Sequence, residues 1–144
     1  MRLLIQRVSH AKVTVAEKSY TSSISKGLLV FVGFSKEDSE DKLDYAVSKI
    51  LNLRLWASDE KGLDKSLKDI NGEVMVVSQF TLYGIVEGNK PNFKAAGEYD
   101  NAEILYNKLI ERLKKEVKVG SGVFGAKMKV ELENDGPVTI MLEK

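Results

Sequence analysis

Gly136-Pro137 sits inside the run Asn134-Asp135-Gly136-Pro137-Val138-Thr139, between two stretches that read as β-strand. Proline has no amide hydrogen to give to a ladder, so a regular central strand cannot pass through it. An X-Pro bond is also the one place where a cis peptide costs little. The preceding glycine has no side chain to block a close approach. The fold must place a corner, a bulge or a strand edge here. Two readings stay open: a tight turn between two strands, or a rigid corner that presents backbone carbonyls to a ligand. Only two prolines occur among the 144 residues, which leaves Pro91 as the other constraint of this kind.

The rest of the chain arranges itself around that corner. Residues 2–9 and 12–17 read as strands, Glu17-Lys18-Ser19 as a polar turn, and Tyr20 to Ile24 as the returning strand. Gly27 opens the apolar run Leu28 to Phe34, short and β-branched enough for a central strand. Leu43, Ala46, Val47, Ile50 and Leu51 recur at helical spacing. Ser39 is the candidate cap of that helix, with Glu40 and Asp41 near its positive end. Leu53 to Trp56 reads as a short strand, residues 58–72 as a loop holding one more, and Glu73 to Phe80 as a second central strand. Gly84, Gly88, Pro91 and Gly97 mark 84–99 as irregular. Asp100 and Glu103 suggest a capping box for a helix carrying Ala102, Leu105, Tyr106, Leu109 and Leu113. Residues 117–123, 126–133 and 138–143 read as the last strands. This order does not alternate as a doubly wound fold does. It predicts an α+β fold: mixed, largely antiparallel sheet with two main helices, in a single domain over 1–144.

Composition bounds the chemistry. The chain has no cysteine, which removes disulfides and thiolate chemistry and suits a reducing compartment. No apolar run is long enough to span a bilayer, and charge returns at Arg7, too early for a secretory signal. A net charge of +1 is low for a nucleic-acid binder, so any RNA contact needs local cations. The candidates are Lys90 and Lys94, then Arg112, Lys114, Lys115 and Lys118, and finally Lys127 and Lys129. A weak footprint suits an enzyme that releases its RNA quickly. The single histidine, His10, lies in no nucleophile signature and reads as a bystander. One histidine without cysteine does not make a zinc site. Asp38, Glu40 and Asp41 read as helix-start acids rather than magnesium ligands. No phosphate loop or dinucleotide fingerprint is present. An enzyme built from this chain therefore works with little acid–base help from side chains.

A second segment narrows the function. Val76-Val77-Ser78-Gln79-Phe80-Thr81-Leu82-Tyr83 begins as a buried strand and continues into hydroxyl and amide side chains. Together, SQFTLY and NDGPVT resemble the two signature motifs of the D-aminoacyl-tRNA deacylase family. The opening Ile5-Gln6-Arg7-Val8, then Val13-Thr14-Val15, Lys26 to Val30, Ile50 to Arg54 and Gly122 to Ala126, match family segments in order. The resemblance covers the whole chain.

It implies a compact layered β/α domain that forms a homodimer with active sites at the subunit interface. The implied reaction is cytoplasmic hydrolysis of the ester at the 3′ end of D-aminoacyl-tRNA, with no cofactor and no metal. Glycyl-tRNA mischarged on tRNA-Ala is a further implied substrate. The ester is already activated and the ribose carries a neighbouring 2′-hydroxyl. Backbone amides and fixed positioning can supply the rest. On this reading the main chain at Phe80 and Thr81 holds the ester and polarises its carbonyl. The Thr81 hydroxyl is the alternative nucleophile, although no base is there to activate it. Ser78 and Gln79 orient the strand or contact the terminal adenosine. Gly136 and Pro137 resemble the family's Gly-cis-Pro motif, which reaches into the partner's pocket, binds the α-amino group and leaves no room for an L side chain. Asn134, Val138 and Thr139 support that corner, and Arg7 locks it from the neighbouring strand. Phe124, Gly125, Ala126 and Met128 line the adenosine end. The loop Lys90-Pro91-Asn92-Phe93 departs from the family's Arg-Pro-Ser-Phe, and Leu63-Asp64-Lys65-Ser66 from Met-Asn-Leu-Ser. A noncatalytic RNA-binding module and a small-molecule esterase using Thr81 are the competing readings.

Overall fold

The computed structural model describes residues 1–58 and 62–144. Residues 59–61, part of the loop expected at 58–72, lie outside the described residues. The chain runs through β1 (Arg2–Val15), β2 (Tyr20–Ile24), β3 (Gly27–Gly33), α1 (Leu43–Asn52), β4 (Arg54–Ala57) and β5 (Leu63–Ser66). It continues through β6 (Glu73–Ser78), β7 (Ile85–Glu87), β8 (Lys90–Asn92), α2 (Tyr99–Lys114), β9 (Val119–Ser121) and β10 (Lys129–Glu143). The main sheet has the order β10-β1-β3-β6-β9, with β2 added beside the second half of β1. β1 pairs antiparallel with β10, β2 and β3, while β3–β6 and β6–β9 are parallel. The architecture is the α+β class expected, with a mixed, mostly antiparallel sheet and two helices.

One strand serves two cores. Leu3 and Ile5 of β1 face the helices, in a cluster with Ile50 of α1 and Leu109 and Leu113 of α2. Val8, Ala11, Val13 and Val15 belong to a second cluster with Ile24, Leu29, Met75 and Val77 on the opposite face. Ser9 is an extra residue in the β1–β10 ladder, since Val8 pairs with Asn134 and His10 with Glu133. That single insertion switches which alternate residues point to which face. The two strands expected at 2–9 and 12–17 are therefore one continuous strand with a bulge. The sheet also curls. The Tyr20 hydroxyl of β2 donates to the Ser121 carbonyl of β9 at 2.9 Å, and the Ser121 amide donates to Ser22 Oγ at 3.3 Å.

Several boundaries differ from expectation. The Ser39 hydroxyl bonds the Asp41 carboxylate rather than a backbone amide, and a 3-10 turn at Glu40–Lys42 precedes α1. The α2 helix begins at Tyr99, with Glu98 at the cap position and no side-chain cap bond. The Gly97 amide is already tied to the Phe34 carbonyl (2.8 Å), which delivers the chain to the helix one residue before Asp100. Asp38 is not an exposed helix-start acid: it is buried and receives the Met1 ammonium (2.7 Å), the Ser35 amide (2.7 Å) and Lys42 Nζ (2.8 Å). Within 84–99, β7 and β8 form a small antiparallel hairpin. The strand expected at 117–123 is ordered as β9 only at 119–121, and the segments 126–133 and 138–143 fuse into the 15-residue β10.

Candidate active site

Two parallel strands open the site. β6 ends at Ser78, and Gln79 breaks it with φ −147° and ψ 80° while its amide donates to the Val32 carbonyl of β3 at 2.7 Å. A 3-10 turn, Phe80–Tyr83, follows, so the strand stops at Ser78, short of the Phe80 expected from residue types. The first hydrogen bond of this turn runs from the Leu82 amide to the Gln79 carbonyl (3.2 Å). The amides of Phe80 and Thr81 precede it and are not spent inside the turn. The Thr81 hydroxyl is hydrogen-bonded by the Gln79 carboxamide. No histidine, carboxylate or lysine bonds it among the described residues.

A cleft of about 540 Å³ opens at this strand end. Ser78 at the end of β6 lines it together with Gln79 and Phe80 just beyond, and Phe124, Gly125, Ala126 and Met128 line it from the segment between β9 and β10. The remaining wall comes from the end of β3 and Phe34, from Val77 of β6, from Val130 of β10 and from Ala96, Gly97, Tyr99 and Ala102. Thus seven of the sequence-designated residues share one cavity, while Thr81 lies beside it on the surface. Aromatic pairs stiffen the walls. Phe80 is exposed and meets Phe93 edge-on at 5.0 Å between ring centres. Tyr99 meets Phe124 edge-on at 5.0 Å, and Tyr106 lies 5.6 Å from the same ring. Gly125, at φ +69°, lies under the Tyr99 ring, where a Cβ has no room. The buried Tyr106 hydroxyl donates to the Val76 carbonyl at 2.9 Å, with the Gly122 carbonyl at 3.2 Å. Burial pushes this phenol's pKa well up, so it stays a neutral donor. No motif or apolar stripe of the sequence marks Tyr99. Its position just before the expected helix gave no periodic signal, and only the folded contact with Phe124 reveals it.

The Gly136-Pro137 segment is elsewhere in the chain's own fold. Gln6 pairs with Thr139 and Val8 with Asn134, so residues 135–138 stand opposite Arg7 alone. The corner is a wide bulge on the outer strand of the sheet, not a turn between separate strands. The Gly136-Pro137 peptide is cis, and Gly136 has φ +116°. Arg7 Nε donates to the Asp135 carbonyl (3.1 Å), and Arg7 Nη1 is bonded to the Leu55 carbonyl of β4. The Asn134 carboxamide donates to the carbonyls of Arg7 and Val138, both at 2.9 Å, while Thr139 Oγ1 lies 3.5 Å from Asn134 Oδ1 and receives Gln6 Nε2 at 3.2 Å. None of the bulge residues lines the 540 Å³ cleft.

The cations sort into two groups. Arg112 binds Glu40 and Asp44, each at 2.6 Å, and Lys118 binds Glu73 at 2.9 Å, so neither is the free RNA-facing cation that the sequence suggested. Lys90, Lys94, Lys127 and Lys129 are exposed and have no ion-pair partner among the described residues. In the variant loop, Asn92 Oδ1 accepts from the Lys94 amide at 3.4 Å. Among the described residues, no group of histidine, cysteine and carboxylate side chains is placed to hold a metal ion. No described helix is long and apolar enough to cross a membrane.

Comparison with known proteins matches the chain to a family. The sequence model of a family described as D-Tyr-tRNA(Tyr) deacylase matches residues 4–143. A D-aminoacyl-tRNA deacylase of Clostridium botulinum (strain 657 / Type Ba4) is 51% identical over 145 residues, covering 99% of this chain and 97% of that one. A solved structure titled c-Myc DNA Unwinding Element Binding Protein superposes with a TM-score of 0.91 at 42% identity, covering 100% of this chain and 99% of that one. The structure of a probable eukaryotic D-amino acid tRNA deacylase shares the fold, with a TM-score of 0.85 at 19% identity over 98% of this chain and 97% of that one. Matched along nearly its whole length by the family model and by relatives about half identical to it, the chain belongs to the D-aminoacyl-tRNA deacylase family.

Proposed function

We propose that the protein hydrolyses the ester of D-aminoacyl-tRNA in the cytoplasm, releasing the free D-amino acid and tRNA. The observation that carries this reading is the end of β6. There the amides of Phe80 and Thr81 precede the first hydrogen bond of a 3-10 turn at the edge of a cleft, and among the described residues no side-chain base is bonded to Thr81. Backbone donors of this kind stabilise the oxyanion that develops when water adds to the ester carbonyl. The carbon–oxygen bond to the ribose then breaks and the ribose oxygen leaves with a proton. The neighbouring 2′-hydroxyl is the nearest group that can pass that proton. Phe124, Gly125, Ala126 and Met128 receive the terminal adenosine, and Ser78 and Gln79 fix its register against β6. The Thr81 hydroxyl is not the nucleophile on this reading.

Selectivity rests on a second copy of the chain. Val77, Phe31, Leu4 and Met141 lie side by side across β6, β3, β1 and β10 on the face of the second core, where Val77 is buried and the row emerges at Met141. Met141 in this row is 53% exposed, and β10 is an outer strand paired only with β1. Apolar rows on an open sheet face are where partners dock. A homodimer across this face brings the Gly136-Pro137 bulge of one subunit toward the cleft of the other. Its carbonyls then bind the substrate's α-amino group, and its rigid backbone occupies the space an L side chain needs. Glycyl-tRNA, with no side chain, passes the same filter.

The test is hydrolysis of matched D-Tyr-tRNA and L-Tyr-tRNA by the purified protein with EDTA present. Release of D-tyrosine alone is the expected result. Release of both amino acids sinks the Gly136-Pro137 filter, and release of neither sinks the deacylase reading. The 42%-identical structure is titled a DNA-element-binding protein, which gives the reading of a nucleic-acid-binding module its one support. Tight tRNA binding with the ester left intact identifies that case. Thr81→Val separates the third reading, a small-molecule esterase using Thr81: D-tyrosine release within about threefold of wild type supports main-chain catalysis, and cleavage of simple esters abolished in the variant supports the esterase.

A further inference from the structure

We infer that Arg2 is a positioning residue for the proposed reaction, holding the 3-10 turn so that the Phe80 and Thr81 amides stay in place at the cleft. The inference rests on the deacylase reading for its chemistry and on geometry for its substance. The turn is four residues long, and two hydrogen bonds frame it: Leu82 amide to Gln79 carbonyl at 3.2 Å and Gly84 amide to Thr81 carbonyl at 2.9 Å. So short an element has little stiffness of its own. Arg2 supplies an anchor from outside. Its Nη1 donates to the Leu82 carbonyl at 2.9 Å, a charge-assisted bond to one of the turn's trailing acceptors.

The guanidinium is itself held in one orientation. Its Nε donates to Glu143 Oε1 at 3.1 Å, and its Cζ stands 4.6 Å from the centre of the Tyr83 ring, another residue of the turn. Arg2, Glu143 and Gly33 lie in one register across β10, β1 and β3, so the anchor is rooted in the central sheet. The planar fork lets one side chain meet a carboxylate, a carbonyl and an aromatic face at once. Displacing reacting groups by about 1 Å can cost on the order of 100-fold in rate. A turn freed from Arg2 moves the oxyanion donors without removing them.

The experiment compares Arg2→Met, Arg2→Lys and Glu143→Gln with wild type on D-Tyr-tRNA. Arg2→Met is expected to lower kcat by about 10- to 100-fold with KM within about twofold, the mark of an interaction felt in the transition state. Arg2→Lys is expected to recover part of the loss, because an ammonium still reaches one carbonyl. Glu143→Gln falls between the two. Backbone amide NMR gives a second readout: Arg2→Met should shift the Phe80, Thr81 and Leu82 signals and leave those of β3 and α2 in place. An unchanged kcat, or amide shifts spread through the whole sheet, overturns the inference. If wild-type protein releases no D-tyrosine, the deacylase reading fails separately, and the amide signals alone decide whether Arg2 holds the turn.

Discussion

Gly136 shows how much a single residue carries. Its φ of +116° is one that side-chain-bearing residues avoid, and the space where a Cβ belongs is filled by the Arg7 guanidinium. Gly136→Ala is expected to cost about 2 kcal/mol in urea unfolding. The same variant should lose more than tenfold in D-tyrosine release, since Arg7 must give way and the bulge with it. An unfolding midpoint equal to wild type argues against this packing. The residues that hold the bulge were legible in the sequence as a motif. That Arg7 stands alone opposite four residues was not, because a register shift leaves no trace in local periodicity. Asp38 was misread for a similar reason: an acid ahead of a helix looks solvated until the fold brings a buried ammonium to it.

At the scale of elements, the walls of the cleft depend on α2 touching the strand ends. Tyr106 ties the helix to the Val76 carbonyl of β6 and lies near that of Gly122. Tyr106→Phe leaves Val76 short of a buried donor and should cost about 1–2 kcal/mol, read as a lower urea midpoint with an unchanged slope. Asp38 joins the start of β1 to the segment before α1. Burial alone raises its pKa, but the bonds from Lys42, the Met1 ammonium and the Ser35 amide outweigh it and hold the carboxyl below its ordinary value. A depressed carboxyl stabilises the fold above its unfolded pKa of about 3.9, and that stability is lost as pH falls through the lower folded value. Asp38→Asn is therefore expected to cost about 3 kcal/mol at neutral pH, where it breaks a buried pair. It should also flatten the loss of stability that wild type shows below about pH 4. Equal acid-unfolding curves for the two proteins would refute that assignment. The helices were legible from their apolar stripes. The hairpin of β7 and β8 was not, since glycines and one proline in a short polar segment read as loop.

The whole molecule decides whether the cleft is complete. The proposed dimer predicts a particle of twice the chain mass in sedimentation equilibrium. Met141→Glu places a charge in the open apolar row and should give monomers, with D-tyrosine release down by at least about tenfold. A monomeric variant that keeps full, D-selective activity removes the partner's bulge from the mechanism. What the sequence determined by itself is local: the strands and helices follow from side-chain periodicity, and the two signature segments follow from residue types in a short span. Only the tertiary structure decided that Ser78 to Phe80 and Phe124 to Met128 share one cavity. The order β3-β6-β9 sets that, through parallel pairings between strands far apart in the chain. Only the tertiary structure decided that the Gly-Pro corner is a bulge within one strand, four residues standing opposite Arg7. Periodicity records which way a side chain points along its own element; it does not record which elements meet, and a site made between elements is fixed by that meeting.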